Sequence, residues 1–243
     1  MTAQANLESR QARLEHQWPT PPTARELDAQ FPGIFDGAML LAGGANIILQ
    51  LALPGVGYGV AESRVESGSI LHHPIKRSRT TFTYLAVAMM GTSEEKLAYR
   101  RAVNRSHAQV HSTEHSPVKY NAFDENLQMW VAACLYWGFV DTHQKLHGPM
   151  SQQEKETFYQ LAHPLGTTLQ VRQDTWPKDL QAFDAYWQEG LQQLHIDDRI
   201  RRYLMMIADL EFLSRPTRFL LGRFNRFVTT GFLPPEIRAQ MQL

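Results

Sequence analysis

The sequence predicts an all-α fold: a single globular domain of about ten helices around a central apolar helix. Three observations predict it. Apolar residues recur at spacings of three and four, and no stretch sustains strict alternation. Helix-start signals, S/T-x-x-E pairs and isolated aspartates, stand ahead of several of these segments. The run Glu125–Leu146 is apolar round almost its whole circumference, as expected of a helix buried on all sides.

Residues 1–30 are polar, with Pro19, Pro21 and Pro22 in their middle. A short amphipathic helix is expected over 4–16 and a linker over 17–24. Together they form an arm that packs on the domain or on a second subunit, so a homodimer through the arm is an expectation. The domain proper is expected over 31–243, a length suited to one core. No basic-then-apolar leader opens the chain, and a cytoplasmic protein is expected.

Gly37–Ala61 holds no charged residue. A membrane span needs about 20 predominantly apolar residues, but Asn46 and Gln50 interrupt this run and Pro54 breaks it. Two buried helices are expected instead, at Gly37–Leu53 and about Gly55–Val65, with no stable membrane insertion. Gly43 and Gly44 permit close approach of another backbone or of a flat ligand.

Two helices meeting at a tight turn are expected over His72–Ser112. Pro74 suits a first helical turn, Gly91 a helix end, and Thr92 with Glu95 a capping box. Arg77 and Thr81 share one face of the first helix. Tyr99, Val103 and Val110 form an apolar stripe on the second, with His107 on its edge and Arg100, Arg101, Asn104 and Arg105 elsewhere. His107 therefore reads either as a core histidine satisfied by a hydrogen bond or as a ligand of a metal or haem iron. His111 and His115 continue from His107 at intervals of four. Such a ladder suits a zinc ion, although Pro117 favours a solvated helix end.

Asp124 caps the central helix, and Gly148 and Pro149 stop it. Ser151 and Glu154 open a helix to about Ala162. After a loop over 163–176, helices are expected at Lys178–Gln193, Asp198–Leu213, Pro216 to about Thr229, and Pro235–Gln242.

The 24 basic and 24 acidic residues balance, which speaks against a nucleic-acid partner. The single cysteine, Cys134, excludes an intramolecular disulfide and reads as a small core residue.

Six segments in order carry a resemblance to a known family. They are GGANIILQLALPGVGYGVAES (43–63), PIKRSRTTFTYLAVAMMGTSEE (74–95), RSHAQV (105–110), YNAFDENLQMWVAACL (120–135), HGPMSQQE (147–154) and FLPPEIRAQM (232–241). From about Phe31 to Leu243 the chain resembles the catalytic domain of rubber oxygenase and the mycophenolic-acid-pathway oxygenase. That resemblance implies a haem b enzyme using O2 on a lipophilic organic substrate, with cleavage of a C=C bond as the reaction. It implies that His107 is the iron ligand, that Arg77 and Thr81 lie near the haem, and that Glu62 falls close to a carboxylate proposed as a base.

Three departures stand out. Thr80 occupies the place of a distal lysine. Leu53 precedes Pro54 where many members have histidine. Trp130–Cys134 reads W-V-A-A-C where many read W-V-H-A-T. A less polar distal side, an open iron position and a substrate smaller than a polymer are expected from these. Two other classes stay open: a haem sensor or carrier without catalysis, and a non-haem metal protein using His107, His111 and His115.

Overall fold

In the computed structural model, Trp18, residues 20–34 and residues 37–243 are described. The expected helix over 4–16, and dimerisation through it, lie outside the described residues. The domain is all-helical. Among the described residues there is no strand, only an isolated antiparallel bridge between His111 and Asn121.

The expected arm begins to join the domain at Trp18. Its buried indole Nε1 donates to Thr167 Oγ1 at 3.2 Å, and Arg100 lies 4.9 Å above its ring. Helix α1 (Ala24–Gln30) follows, capped by a reciprocal Thr23–Glu26 box.

The uncharged run forms two helices, as expected, but with shorter bounds. Gly37–Ala42 is a 3-10 turn, α2 is Gly43–Ala52, and α3 is Pro54–Ala61. Proline at the first position of α3 supplies no N–H to continue α2, so the chain turns there. The two halves bend by 106°, and no single helix among the described residues is long and apolar enough to cross a membrane. Gly44 serves helix packing, since a Cβ there would stand 2.7 Å from Thr229 Oγ1.

Helices α4 (Pro74–Met90) and α5 (Ser93–His107) flank Gly91. A Cβ at Gly91 would lie 2.5 Å from Val87 O. The Thr92–Glu95 capping box then starts α5. That helix ends at His107, sooner than the stripe through Val110 suggests. The reason is a competing pairing: Ala122 N donates to Val110 O at 2.9 Å and Ser112 N to Tyr120 O at 2.8 Å, which draws 110–112 into extended chain.

Helix α6 (Glu125–His147) is central, capped by Asp124 and packed against α2, the Gly37–Ala42 turn, α7 (Gln152–Ala162) and α8 (Pro164–Thr167). Trp130 and Trp137 both stack on Trp187 of α9 (Leu180–Gln192), at 5.1 and 5.0 Å between ring centroids. The Trp130 indole N–H is satisfied by Leu49 O. Such a buried indole is worth about 3–5 kcal/mol against alanine.

Three later boundaries differ from expectation. The loop over 163–176 contains α8. Helix α9 starts two residues late because Asp179 caps it. Helix α10 (Asp198–Ala208) stops five residues early, at a turn where Leu210 is left-handed with φ of 54°. Helices α11 (Arg215–Phe232) and α12 (Pro235–Met241) close the fold.

Candidate active site

Arg77, Thr81, Tyr84 and Ala88 recur along one face of α4 at spacings of four, three and four. Tyr99, Val103 and His107 recur at four along α5. The tight turn at Gly91 brings the two faces together. Tyr99 Oη donates to Thr80 O at 2.6 Å, and the Tyr84 and Tyr99 rings stand 5.9 Å apart. Tyr84 Oη in turn donates to Leu165 O at 2.5 Å, fixing α4 to α8.

Arg77 is exposed at the surface, although protein atoms crowd its guanidinium. Desolvation by these surroundings lowers its pKa, and Tyr203 of α10 and Tyr99 lie close enough to act on its charge. His107 senses the same guanidinium. Burial first, and Arg77 second, draw the imidazole pKa down to about 4, so His107 is neutral at pH 7. Its Nδ1 is buried without a hydrogen-bond partner, and Phe123 stands edge-on at 6.2 Å. The Arg77 guanidinium likewise has no hydrogen-bonding or ion-pair partner among the described residues. The structure thus places Tyr99, His107 and Tyr203, from α5 and α10, within electrostatic reach of Arg77 on α4.

Thr81 belongs to the Arg77 face, but its hydroxyl proton is engaged: Oγ1 donates to Arg77 O at 3.1 Å. Thr80 is similarly tied to Lys76 O at 2.9 Å. Each hydroxyl retains only acceptor capacity.

Glu62, the residue after α3, has a different setting. Its Oε2 accepts from Ser116 at 2.7 Å and Tyr120 at 3.0 Å, and its Oε1 from Arg199 at 2.9 Å. Nearby, Tyr58 donates to Asp197 at 2.6 Å beneath the Arg199 guanidinium. Desolvation pushes the Glu62 pKa upward. The bonds from Ser116, Tyr120 and Arg199 together outweigh it, and the carboxyl sits below its ordinary value. Arg199 and Tyr203 are four apart on α10, so one helix carries a residue of each polar group.

The histidine ladder does not form. Because α5 ends at His107, His111 lies in the following extended chain and His115 in a turn, both exposed, and no group of three metal-ligating side chains occurs among the described residues. Cys134 is buried in α6, where desolvation raises its pKa well above ordinary; it is a core residue. Tyr203 and Arg199 were not expected from the sequence. Their four-residue spacing on the Asp198–Ala208 helix was the available signal.

The chain belongs to the ER-bound oxygenase mpaB/B'/Rubber oxygenase catalytic-domain family, whose model matches residues 34–243. It is an oxygenase-family domain. Two proteins described as uncharacterized, from Mycobacterium bovis and Mycobacterium tuberculosis, are each 54% identical to it over 204 residues, covering 84% of this chain and 80% of theirs. No solved structure matches it.

Proposed function

We propose that the chain is a haem b-dependent oxygenase that uses O2 on a small lipophilic substrate, cleaving a C=C bond. The observation that carries this reading is the unanswered pair at this site: a buried imidazole nitrogen without a partner and, beside it, a guanidinium that stays exposed with no acceptor from the chain. A buried polar atom left unsatisfied costs about 1–3 kcal/mol, and more where charge is involved. Haem offers both groups what they lack, an iron for neutral imidazole and carboxylates for a guanidinium. The donor set fits the group.

Bound haem supplies the activation of O2. His107 holds the iron, and its low proton affinity keeps the imidazole available at neutral pH. Arg77 offers charged hydrogen bonds to a propionate or to oxygen charge developing in the reaction. Thr81 orients a donor through its free lone pairs, because its own proton stays on Arg77 O. Glu62 is ionised at neutral pH and so is in the form that accepts a proton; its three donors make it a weak base. Thr80, tied to Lys76 O, brings no strong ligand of its own to the site.

The test is the visible spectrum of the protein purified with haem, alongside His107→Ala. The wild type shows a Soret band, and the variant loses it or most of its haem. A variant with unchanged haem content and spectrum overturns the assignment. Oxygen uptake dependent on an added terpenoid alkene separates an enzyme from a carrier.

A further inference from the structure

Helix α11 is mounted with its apolar face outward. Phe219, Leu220, Phe224 and Phe227 fall within one arc of the helix and are 89%, 75%, 57% and 77% exposed. The face turned to the protein is small or polar. Asn225 Nδ2 donates to Ala208 O at 2.8 Å, Thr229 lies against Gly44, and a Cβ at Gly222 would meet Asp209 O at 3.0 Å. These close approaches fix the helix's rotation, since a phenylalanine has no room where Gly44 meets Thr229. The phenylalanines are therefore outside because of packing, and solubility alone disfavours such a patch.

Charge identifies what covers it. α11 carries Arg215, Arg218, Arg223 and Arg226 and no acidic residue. Glu211 engages Arg218 at 2.5 Å and Asp209 engages Arg226. Arg215 and Arg223 are exposed with no carboxylate in reach among the described residues, and Arg223 lies between Phe219 and Phe227 on the apolar arc. A second copy related by a two-fold axis would bring the same cations against themselves. Anionic headgroups supply the missing counter-charge, and the arginine stem can lie along apolar surface while its head reaches the phosphates. Leu40 and Leu41, in the 3-10 turn that packs on α11, are also exposed. On the other flank, Ile75 and Phe82 share a surface recess with Arg79, Phe212 and Leu213.

We propose that α11 seats this protein on the surface of an anionic lipid bilayer, lying in the interface plane without crossing it. The proposal is independent of the haem reading.

The experiment is flotation of the full-length protein, as purified, with vesicles of phosphatidylcholine alone or mixed with phosphatidylglycerol. The wild type is expected to float with the anionic vesicles, with binding that falls as salt rises. Phe219→Ser/Phe224→Ser/Phe227→Ser, checked for native helicity and melting temperature, should abolish flotation. Arg215→Ala/Arg223→Ala should weaken the vesicle partition coefficient by about thirty-fold, roughly five-fold per arginine. Failure of the wild type to float, or undiminished flotation of the triple variant, overturns the proposal. So does a wild-type dimer that the triple variant converts to monomer without any vesicle binding, which would make this face a subunit interface.

Discussion

Glu62 is a half-buried carboxylate and Arg77 an exposed guanidinium crowded by protein atoms, and α10 carries a residue near each, yet only one of them is answered within the chain. Glu62 holds three donors on its two oxygens. Arg77 has no acceptor, and its neighbour His107 has a buried nitrogen with none. Where every donor and acceptor is matched within the chain, the polar cluster is complete as folded. Where they are not, the cluster has room for a partner from outside the chain, and under the proposed function that partner is a ligand at Arg77 and His107, with the Glu62 knot as structural support.

The strongest way to break that contrast is Arg77→Leu. Loss of charged hydrogen bonds to an anionic ligand should weaken haem binding ten- to hundredfold, measured by absorbance titration. The haem-free variant should be at least as stable as wild type in urea, because no internal partner is lost. A marked destabilisation of the haem-free form would show that Arg77 is already answered.

Glu62→Ala should behave in the opposite way. Ser116, Tyr120 and Arg199 lose their shared acceptor, and stability should fall by about 2 kcal/mol in urea unfolding, with haem affinity within two-fold of wild type. Turnover then sharpens the point: undiminished turnover removes Glu62 as the base.

The smallest effect concerns a third charge. Lys96 on α5 is covered from solvent with no carboxylate partner among the described residues, and burial lowers its ammonium pKa to about 8. Its folded pKa lies below the unfolded value. Between these the unfolded chain binds more protons, so stability rises with pH. Relative to Lys96→Met, wild type should gain about 1 kcal/mol between pH 8 and 9.5, since the loss from the Cys134 thiol ionising in the unfolded chain is common to both proteins. Equal pH profiles for the two proteins would place the ammonium in solvent.

Local rules made much of this readable in advance. The Thr92–Glu95 and Ser151–Glu154 boxes and the caps at Asp124 and Asp197 are set within a few residues of chain, and they stand as expected. The all-round apolarity of α6 marked the centre. The end of α5 was not legible, because residues 120–122, across a turn, take the hydrogen bonds that would have extended the helix. Apolar periodicity on α11 marks a face but not its neighbour, and the fit of Gly44 to Thr229 decides which way that face points. Within the site, Arg77, Thr81 and His107 could be named from spacing and resemblance. Tyr203 could not, since it comes near Arg77 only in the folded chain, 126 residues further along the sequence.

The seat of Trp18 sets a schedule for the chain. Its indole partner, Thr167, lies 149 residues further along, and Arg100, over the ring, donates to the carbonyls of Thr167 and Thr168. During synthesis Trp18 is made well before its resting place, which does not exist until residue 168 has left the ribosome. This indole must therefore wait undocked while the 149 residues up to Thr167 are added, and the change in Trp18 fluorescence on docking would time that late event.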